Sequence, residues 1–414
     1  MKAMKFIAMF VALSFSMGAM CQSVAQAKGK RVQTSLKEKT SKYDKAKGVA
    51  NVVLYGTEMN MHFDASKRVK VKYGDNDKVA DCISWISSIS DETLKDCQQL
   101  KKDLNLCDWA YVKLIDELSH VSLGNTNEAT VMMAVLLNRA GYETRLAWNK
   151  TKKKLMMAFG SEAELYNLYA VDVNNNKYFV YGDVDSTDVI GIGPEMPTGK
   201  PLSMRILGEQ KFAEKLSEPR TLTSAKNPDF SFTVQVNKNL VDFYGEMPSF
   251  VYDNNFMTRW AYIANLPLEK RLQETLILQM KQKLAGKSQL EKVQELLWWV
   301  QQAFVYEYDD SVWGHDRAFY AEETLFYPCS DTEDRSILLS RLVRDVVGLD
   351  VLFVYYPGHT AIAICFTDAA IEGAYVVYQG RHFVVCDPTY IGASVGEEIP
   401  GIDVEKKTVM LLER

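Results

Sequence analysis

Hydrophobic and polar residues follow one another in the same succession twice along the chain. In the later stretch, apolar residues at positions 338, 342 and 346 and at 339, 343 and 347 form two adjacent stripes at helical spacing. This pattern predicts a helix that is buried over a wide face and ends at Gly348. Two strand-like apolar segments follow this helix, at residues 358–364 and 383–389.

The earlier stretch predicts an internal repeat. Residues 130–141 form an amphipathic helical pattern that ends in glycine, and strand-like segments follow it. Residues 178–183 line up with residues 382–387, and both ranges end in aspartate. The polar loop before residue 178 is better explained as a hairpin turn than as a calcium loop, because Lys177 stands where such a loop requires glycine.

The start of the later helix carries a capping pattern. Ser330 followed by Glu333 fits the capping box, in which each side chain accepts a hydrogen bond from an unpaired backbone N–H group. This places Thr332 inside the first turn and Cys329 just outside it. A helix start followed by one strand that opens with histidine and another that closes with aspartate provides the parts of a Cys-His-Asp site.

This order of elements resembles the transglutaminase-like superfamily, whose papain-like fold has a helix beginning at a nucleophilic cysteine. The resemblance covers roughly residues 290–400 and implies that His359 is the general base and that Asp387 orients it. It also implies an α+β fold class with two transglutaminase-like domains (papain-like cysteine protease fold), each a helix packed on an antiparallel sheet. The first domain would be a degenerate copy, because Thr126 stands at its nucleophile position and Leu155 at its histidine position.

The chain departs from this family at the nucleophile. Counting back from Leu342, Val343 and Arg344, which match the interior of the family's helix, places the nucleophile position on Thr332. The nearby thiol, that of Cys329, lies one helical turn too early. The helix count and the capping pattern both favour Thr332. They predict a catalytically impaired, exported transglutaminase-like protein, a pseudoenzyme that acts on or binds peptide or protein amide groups.

The alternative register makes Cys329 the nucleophile. At a helix N-terminus and beside an imidazolium, a thiol pKa falls from about 8.5 to ~3.5–7.5. The protein would then be an active Cys-His-Asp thiol peptidase, amidase or acyltransferase. Hydrolysis, deamidation and cross-linking share a thioester intermediate, so the sequence leaves the reaction open.

Residues just before the helix are candidates for ligand binding. Trp313 could form an aromatic wall, and Glu322 or Glu323 could recognise a basic or amide group. A loop with local ion pairs explains these residues equally well. The expected partner is a peptide, a protein or a cell-wall peptide, as substrate or ligand. Trp298 and Trp299 lie on the predicted helix before the nucleophile and are expected to fill the core.

Chain length, composition and a stretch rich in glycine and proline predict several domains. The chain has 414 residues, of which 47% are hydrophobic, and is therefore long enough for two or three domains with cores of their own. A stretch rich in glycine and proline, residues 191–201, marks the end of the first domain. The predicted segments are a signal peptide (1–27), a basic flexible segment (28–48), a degenerate transglutaminase-like domain (49–205), a connecting segment (206–265) and a C-terminal transglutaminase-like domain (266–414).

The N-terminus predicts a secreted or periplasmic protein. Lys2 and Lys5 precede an apolar run that is too short to span a membrane stably, and a small-residue cleavage site ends at Ala27. A lipid anchor at Cys21 is the alternative, which Met20 disfavours because such sites usually require a smaller residue. No second run of spanning length follows, so no transmembrane segment is expected in the mature chain.

The distribution of charge argues against nucleic acid as a ligand. Residues 28–47 carry eight basic and two acidic side chains, and the rest of the mature chain is acidic. The basic segment is expected to be a solvated tether, with contact to an anionic envelope surface as the alternative.

Cys82, Cys97 and Cys107 are close enough in sequence for one local disulfide. The histidines are scattered and no Cys-x-x-Cys motif occurs, so neither a metal nor another cofactor is predicted.

Overall fold

The computed structural model describes residues 40–413. The predicted signal peptide, Cys21 and most of the basic segment lie outside the described residues. Within residues 40–413, no helix combines the length and the apolar character needed to cross a membrane. The described chain forms two compact units, a first unit of residues 40–215 and 245–255 and a second unit of residues 216–244 and 256–413. Residues of the predicted connecting segment, 206–265, therefore belong to both units.

The helices are numbered here in chain order. They are α1 (Asn76–Ile89), α2 (Asp91–Asp103), α3 (Asp108–Leu123), α4 (Asn127–Arg139), α5 (Lys238–Tyr244), α6 (Met257–Asn265), α7 (Lys270–Leu272), α8 (Leu278–Lys283), α9 (Gln289–Ala303), α10 (Asp309–Val312), α11 (Ala321–Phe326) and α12 (Thr332–Leu342). A π-helical turn, Gln273–Ile277, joins α7 to α8, and a second one, Val343–Val347, continues α12. A short 3₁₀ helix covers Val404–Lys406.

The strands are numbered in the same way. They are β1 (Lys42–Asp44), β2 (Val49–Leu54), β3 (Thr57–His62), β4 (Thr144–Asn149), β5 (Lys154–Phe159), β6 (Glu164–Tyr166), β7 (Ala170–Val173), β8 (Asn176–Val180), β9 (Ile190–Ile192), β10 (Arg220–Thr223), β11 (Ser231–Val234), β12 (Ser249–Val251), β13 (Val305–Tyr306), β14 (Cys329–Ser330), β15 (Asp350–Tyr356), β16 (His359–Cys365), β17 (Tyr375–Tyr378), β18 (Arg381–Cys386) and β19 (Thr408–Leu411).

Each unit contains a five-stranded antiparallel sheet, and the two sheets have the same strand order. The first sheet runs β7-β8-β5-β4-β9 and the second runs β17-β18-β16-β15-β19. Every neighbouring pair in both sheets is antiparallel. In each unit a buried helix precedes the strand of the sheet that comes first in the chain. Helix α4 precedes β4, and helix α12 with its π-helical turn precedes β15. The α+β class with antiparallel sheets is therefore confirmed, and the shared order is the one that an internal duplication requires.

Helix α12 lies at the centre of the second unit. Ile337, Leu338, Leu339 and Leu342 have no exposed surface, which agrees with the wide apolar face predicted from the sequence. The helix passes through its π-helical turn and stops at Gly348, whose φ of 79° is left-handed and favours glycine. The predicted stop is therefore confirmed.

The second sheet is buried on both faces over its central strands. The hydroxyl group of Ser336 on α12 donates to the Thr360 carbonyl group on β16, and this contact places the helix against one face. The other face is covered by a cluster that includes Val354, Tyr356 and Phe383. Burial from both sides explains why β15 and β16 are almost continuously apolar in sequence.

The predicted local disulfide is wrong. Cys82, Cys97 and Cys107 are buried and unpaired. The Cys97 thiol group instead lies 3.6 Å from the sulfur of Met61. Closeness in sequence does not bring two cysteines to the Cα separation that a disulfide requires.

Candidate functional site

The histidine and the aspartate predicted from the sequence form a hydrogen-bonded pair. His359 is the first residue of β16, and Asp387 directly follows β18, which pairs with β16. The Nε2 atom of His359 lies 2.7 Å from Oδ2 of Asp387. The other carboxylate oxygen accepts hydrogen bonds from the backbone N–H group and hydroxyl group of Thr389, both at 2.9 Å, and from the N–H group of Tyr390 at 3.0 Å.

These hydrogen bonds keep Asp387 ionised. Burial by itself raises the pKa of this carboxyl group, but the bonds from His359 and Thr389 outweigh burial and hold the pKa below its ordinary value. An ionised Asp387 favours the proton on Nε2 of the neutral His359 ring. The Nδ1 atom is then an acceptor, because a neutral imidazole carries one proton.

The start of α12 lies one residue later than the sequence predicts. The N-cap is Asp331, and it forms a reciprocal capping box with Asp334. The predicted box of Ser330 and Glu333 is therefore wrong. Its physical reason is a tertiary contact, since the Ser330 hydroxyl group accepts a hydrogen bond from Nε of Arg335 at 3.1 Å. Ser330 thus lies in β14, outside the helix.

Thr332 is the first residue of α12 and lies against the strand that carries the histidine. Its hydroxyl group accepts a hydrogen bond from the Thr360 hydroxyl group at 3.3 Å and donates to Oε2 of Glu333 at 3.0 Å. Thr360 is the residue after His359. The structure therefore brings the start of α12 to the end of β16 that carries His359.

Cys329 lies outside the helix, in the short strand β14. This strand pairs in parallel with β13, where Cys329 is opposite Val305. The residue is 3% exposed. The Arg220 guanidinium group lies within 2.5–3.5 Å of the four carbonyl oxygens of residues 325–328, which fixes the chain directly before Cys329. Two residues separate it from the first helical residue, so its thiol group does not occupy the helix N-terminus.

An acidic cluster surrounds the start of α12. Asp309, Asp331 and Glu333 each bring one carboxylate oxygen within 4.8 Å of the others, and Asp334 is buried beside them. Burial raises the pKa of Asp309 to about 7 and also raises the pKa of the other three carboxyl groups. The three oxygens are close enough to share one cation, either a metal ion or an organic cation. Sequence reasoning missed the cluster, although the acidic residues on both sides of Thr332 were a visible signal.

Helix α9 supports the site from behind. The amide group of Gln301 donates to the carbonyl oxygens of Asp387 and Ala393 at 3.0 and 3.2 Å, and its oxygen accepts from the N–H group of Gly392 at 3.0 Å. Trp299 on the same helix is fully buried and donates to the Leu222 carbonyl group. Gln301 therefore fixes the loop that follows Asp387, a role that no sequence pattern indicates.

Side chains of α9 that do not contact the site border a separate cavity of about 550 Å³. Trp298 and Gln294 line it together with residues of the 370–372 and 394–395 segments. Its lining includes neither His359 nor Asp387, so this cavity does not form part of the candidate site.

The three residues predicted to contact a ligand lie in the chain between α10 and α12. Trp313 is half-buried, and the Arg317 guanidinium group lies 4.4 Å from the centre of its ring. Glu323 is buried and paired with Arg317. Glu322 is buried and accepts from the backbone N–H group of Glu269 at 2.9 Å, and burial raises its pKa to about 8. Both carboxyl groups bond within the protein, and their role in ligand binding stays a prediction.

The first unit has a corresponding helix start with different residues. When α4 and α12 are aligned on their N-caps, Thr126 corresponds to Asp331 and Asn127 to Thr332. The predicted equivalence of Thr126 with the nucleophile position is therefore off by one residue. The Asn127 side chain accepts from the backbone N–H group of Leu155 at 2.9 Å, where the second unit has the strand of His359.

No family model, no curated protein and no solved structure matches this chain.

The acidic cluster predicts a pH-dependent stability. A folded Asp309 with a pKa of about 7, against about 3.9 in the unfolded chain, holds a proton that the unfolded chain releases. This contribution is present at low pH and is lost as pH rises towards 7. Lowering the pH from 8 to 5 should therefore stabilise the wild type by roughly 1–3 kcal/mol more than it stabilises Asp309→Asn, as measured by urea unfolding.

The matched control for this prediction is Asp310→Asn, because Asp310 is the exposed neighbour of Asp309. The groups that act on Asp309 include Glu333, Asp316 and Arg259, and they are unchanged in both variants. Equal pH slopes for the wild type and Asp309→Asn would contradict the prediction.

Proposed function

We propose that this chain is an exported transglutaminase-like protein with a papain-like fold, and that its second unit binds peptide or protein amide groups without cleaving them. The observation that carries the proposal is the position of Thr332 as the first residue of α12, beside the strand of the His359–Asp387 pair. An alcohol is far less acidic than a thiol, and a histidine alone seldom activates threonine in a site shaped for sulfur.

The remaining groups suit the binding of an amide. The first turn of a helix has backbone N–H groups without helical partners, and such groups can donate to a ligand carbonyl oxygen. Nδ1 of His359 can accept from a ligand N–H group, because Asp387 holds the proton on the other ring nitrogen. These groups would stabilise an oxyanion in an enzyme, and here they would hold a ground-state amide.

Export restricts the ligand to extracellular or envelope material. The basic n-region, the short apolar run and the small-residue cleavage site support export. A peptide, a protein or a cell-wall peptide then provides the amide group.

The competing function is an active thiol enzyme that uses Cys329. His359 would first accept the thiol proton and later donate it to the leaving group, and the thioester would pass to water or to an amine. The burial of Cys329 within β14 and the fixed loop before it favour the binding protein over this enzyme.

Alkylation by iodoacetamide at neutral pH separates the two functions. We expect Cys329 to react at least about tenfold more slowly than the same thiol in the urea-unfolded chain, because it is buried and outside the helix start. His359→Ala should leave this rate unchanged, and mass spectrometry of tryptic peptides would measure it. Rapid, selective labelling of Cys329 that His359→Ala slows would overturn the proposal in favour of the enzyme.

A further inference from the structure

The two units carry a buried glutamate at the same place, the second residue of the central helix. Glu128 in α4 and Glu333 in α12 both stand two residues after the N-cap. Both side chains are more than nine-tenths buried. The two positions can therefore be compared directly, and they differ in what the carboxylate binds.

In the first unit, Glu128 binds a strap formed by residues 68–71. The Arg68 guanidinium group donates to Glu128 at 3.0 Å and to the Thr126 hydroxyl group at 2.9 Å. The backbone N–H group of Val71 donates to the other oxygen of Glu128 at 2.7 Å. The Asn127 amide group completes the contact by donating to the Val71 carbonyl oxygen at 3.1 Å. The start of α4 thus binds the Arg68 side chain and both the backbone N–H group and the backbone carbonyl group of Val71.

In the second unit, no described lysine or arginine pairs with Glu333 or with its neighbours Asp309 and Asp331. The hydrogen bonds to the Glu333 carboxylate come from the Thr332 hydroxyl group, at 3.0 Å, and from the backbone N–H group of Glu333 itself, so neither donor carries a charge. Arg259 forms its ion pair with Asp316 and acts on Glu333 and Asp309 only through its charge, without a direct ion pair. Arg317 pairs with Glu323, and Arg335 binds Ser330 and backbone carbonyl groups.

The electrostatics of the two glutamates agree with this difference. Burial by itself acts to raise the pKa of both carboxyl groups. At Glu128 the hydrogen bonds from Val71, Thr126 and Arg68 outweigh burial, and the net pKa is lowered. At Glu333 burial prevails, and the pKa is raised. A buried carboxylate without a cation is costly, so this cluster must take up either protons or a positive group.

We propose that the start of α12 binds an extended peptide through an arginine side chain, with its guanidinium group at Glu333, Asp331 and Asp309 in the way that Arg68 lies at Glu128. The inference rests on the proposed function and names its ligand class. A guanidinium group fits because its planar array of donors can serve several carboxylate oxygens at once. The exposed ring of Tyr308, next to Asp309, offers an apolar surface to the arginine stem.

The probe is an acetylated, amidated peptide with the sequence of residues 66–73, Ser-Lys-Arg-Val-Lys-Val-Lys-Tyr. Its counterpart carries citrulline, a neutral isostere, in place of the arginine. Titration calorimetry with the full mature chain should show that the arginine peptide binds at least about tenfold more tightly than the citrulline peptide. Glu333→Gln should weaken the arginine peptide by about the same factor and leave the citrulline peptide unchanged.

Asp309→Asn is the second variant, and it should also weaken the arginine peptide selectively. The exposed neighbour variant Asp310→Asn should bind as the wild type does. Circular dichroism of each variant checks that it is folded. Equal affinity for the two peptides, or a Glu333→Gln variant that binds the arginine peptide like the wild type, would overturn the inference. So would tight binding of Ca²⁺ or Mg²⁺ that Glu333→Gln abolishes and the peptide does not displace.

The failure of this inference can be distinguished from failure of the proposed function. Peptide titration reports on the acidic cluster, whereas alkylation reports on the Cys329 thiol group. A protein with an inert Cys329 and no preference for arginine would keep the proposed function and lose only this ligand class.

Discussion

Thr332→Cys is expected to create a thiol group that iodoacetamide alkylates on the order of 100-fold faster at pH 7 than any described native cysteine. Those native thiols are buried, and burial raises the pKa of Cys82, Cys97 and Cys107 to about 12. A thiol at position 332 would stand at the first residue of α12, where the positive end of the helix dipole favours the thiolate. His359 directly precedes Thr360, whose hydroxyl group contacts Thr332, and under the proposed function its imidazole would accept the thiol proton. Rates followed by mass spectrometry across pH 5–9 would give the thiol pKa.

The matched control is Asn127→Cys, because Asn127 is the first residue of α4 and is partly buried like Thr332. That thiol would face the strand of Leu155, which offers no imidazole. We expect it to react more slowly than a thiol at position 332. Adding His359→Ala to Thr332→Cys should slow alkylation at least about fivefold. Equal reactivity of the two new thiols, with no effect of His359→Ala, would mean that position 332 is not the nucleophile position. The proposed kinship with transglutaminase-like proteins would then lose its basis.

The central helix and sheet of the second unit could be predicted because their patterns are local. The two apolar stripes of α12 and its stop at Gly348 follow from helical spacing and from the left-handed glycine. The pairing of His359 with Asp387 was also predictable, since these residues flank two strands whose order the family resemblance implies. Local periodicity and residue type suffice for the helix, whereas the pairing of His359 with Asp387 also required the resemblance.

The N-cap could not be chosen from sequence alone. Ser330 and Asp331 are both good caps, and Glu333 and Asp334 both suit the third helical position. The buried Arg335 donates to the Ser330 hydroxyl group, and the pairing of β14 with β13 keeps Ser330 in a strand, so that Asp331 becomes the cap. Tertiary contacts therefore decide where the first turn begins.

Long-range contacts also lay beyond sequence reasoning. The chain enters the second unit at residue 216, returns to the first for residues 245–255 and then leaves it again. Nothing in the composition of residues 206–265 marks these crossings. The strap of residues 68–71 has no periodicity, and its contact with Glu128 joins positions sixty residues apart. Such features depend on packing, which hydrophobic patterns do not specify.

Arg335→Leu is expected to destabilise the protein by about 3–5 kcal/mol, since breaking a buried charged contact leaves its partners unsatisfied. Arg335 has no exposed surface, and burial lowers its pKa to about 10, so it remains charged at neutral pH. Its guanidinium group donates to the carbonyl oxygens of Gln301 and Phe304 at 3.1 and 2.9 Å and to the Ser330 hydroxyl group. Urea unfolding followed by circular dichroism would measure the loss.

The reason for this large effect is the location of the acceptors. The two carbonyl groups belong to the last turn of α9 and the residue that follows it, where helix carbonyl groups lack helical partners and carry partial negative charge. Leucine has no donor to replace the guanidinium group, and water cannot reach the site without opening the core. Arg381→Leu is the control, because Arg381 forms an exposed pair with Asp350 and should cost less than about 1 kcal/mol. Equal losses for the two variants would mean that Arg335 does not tie α9 to the start of α12.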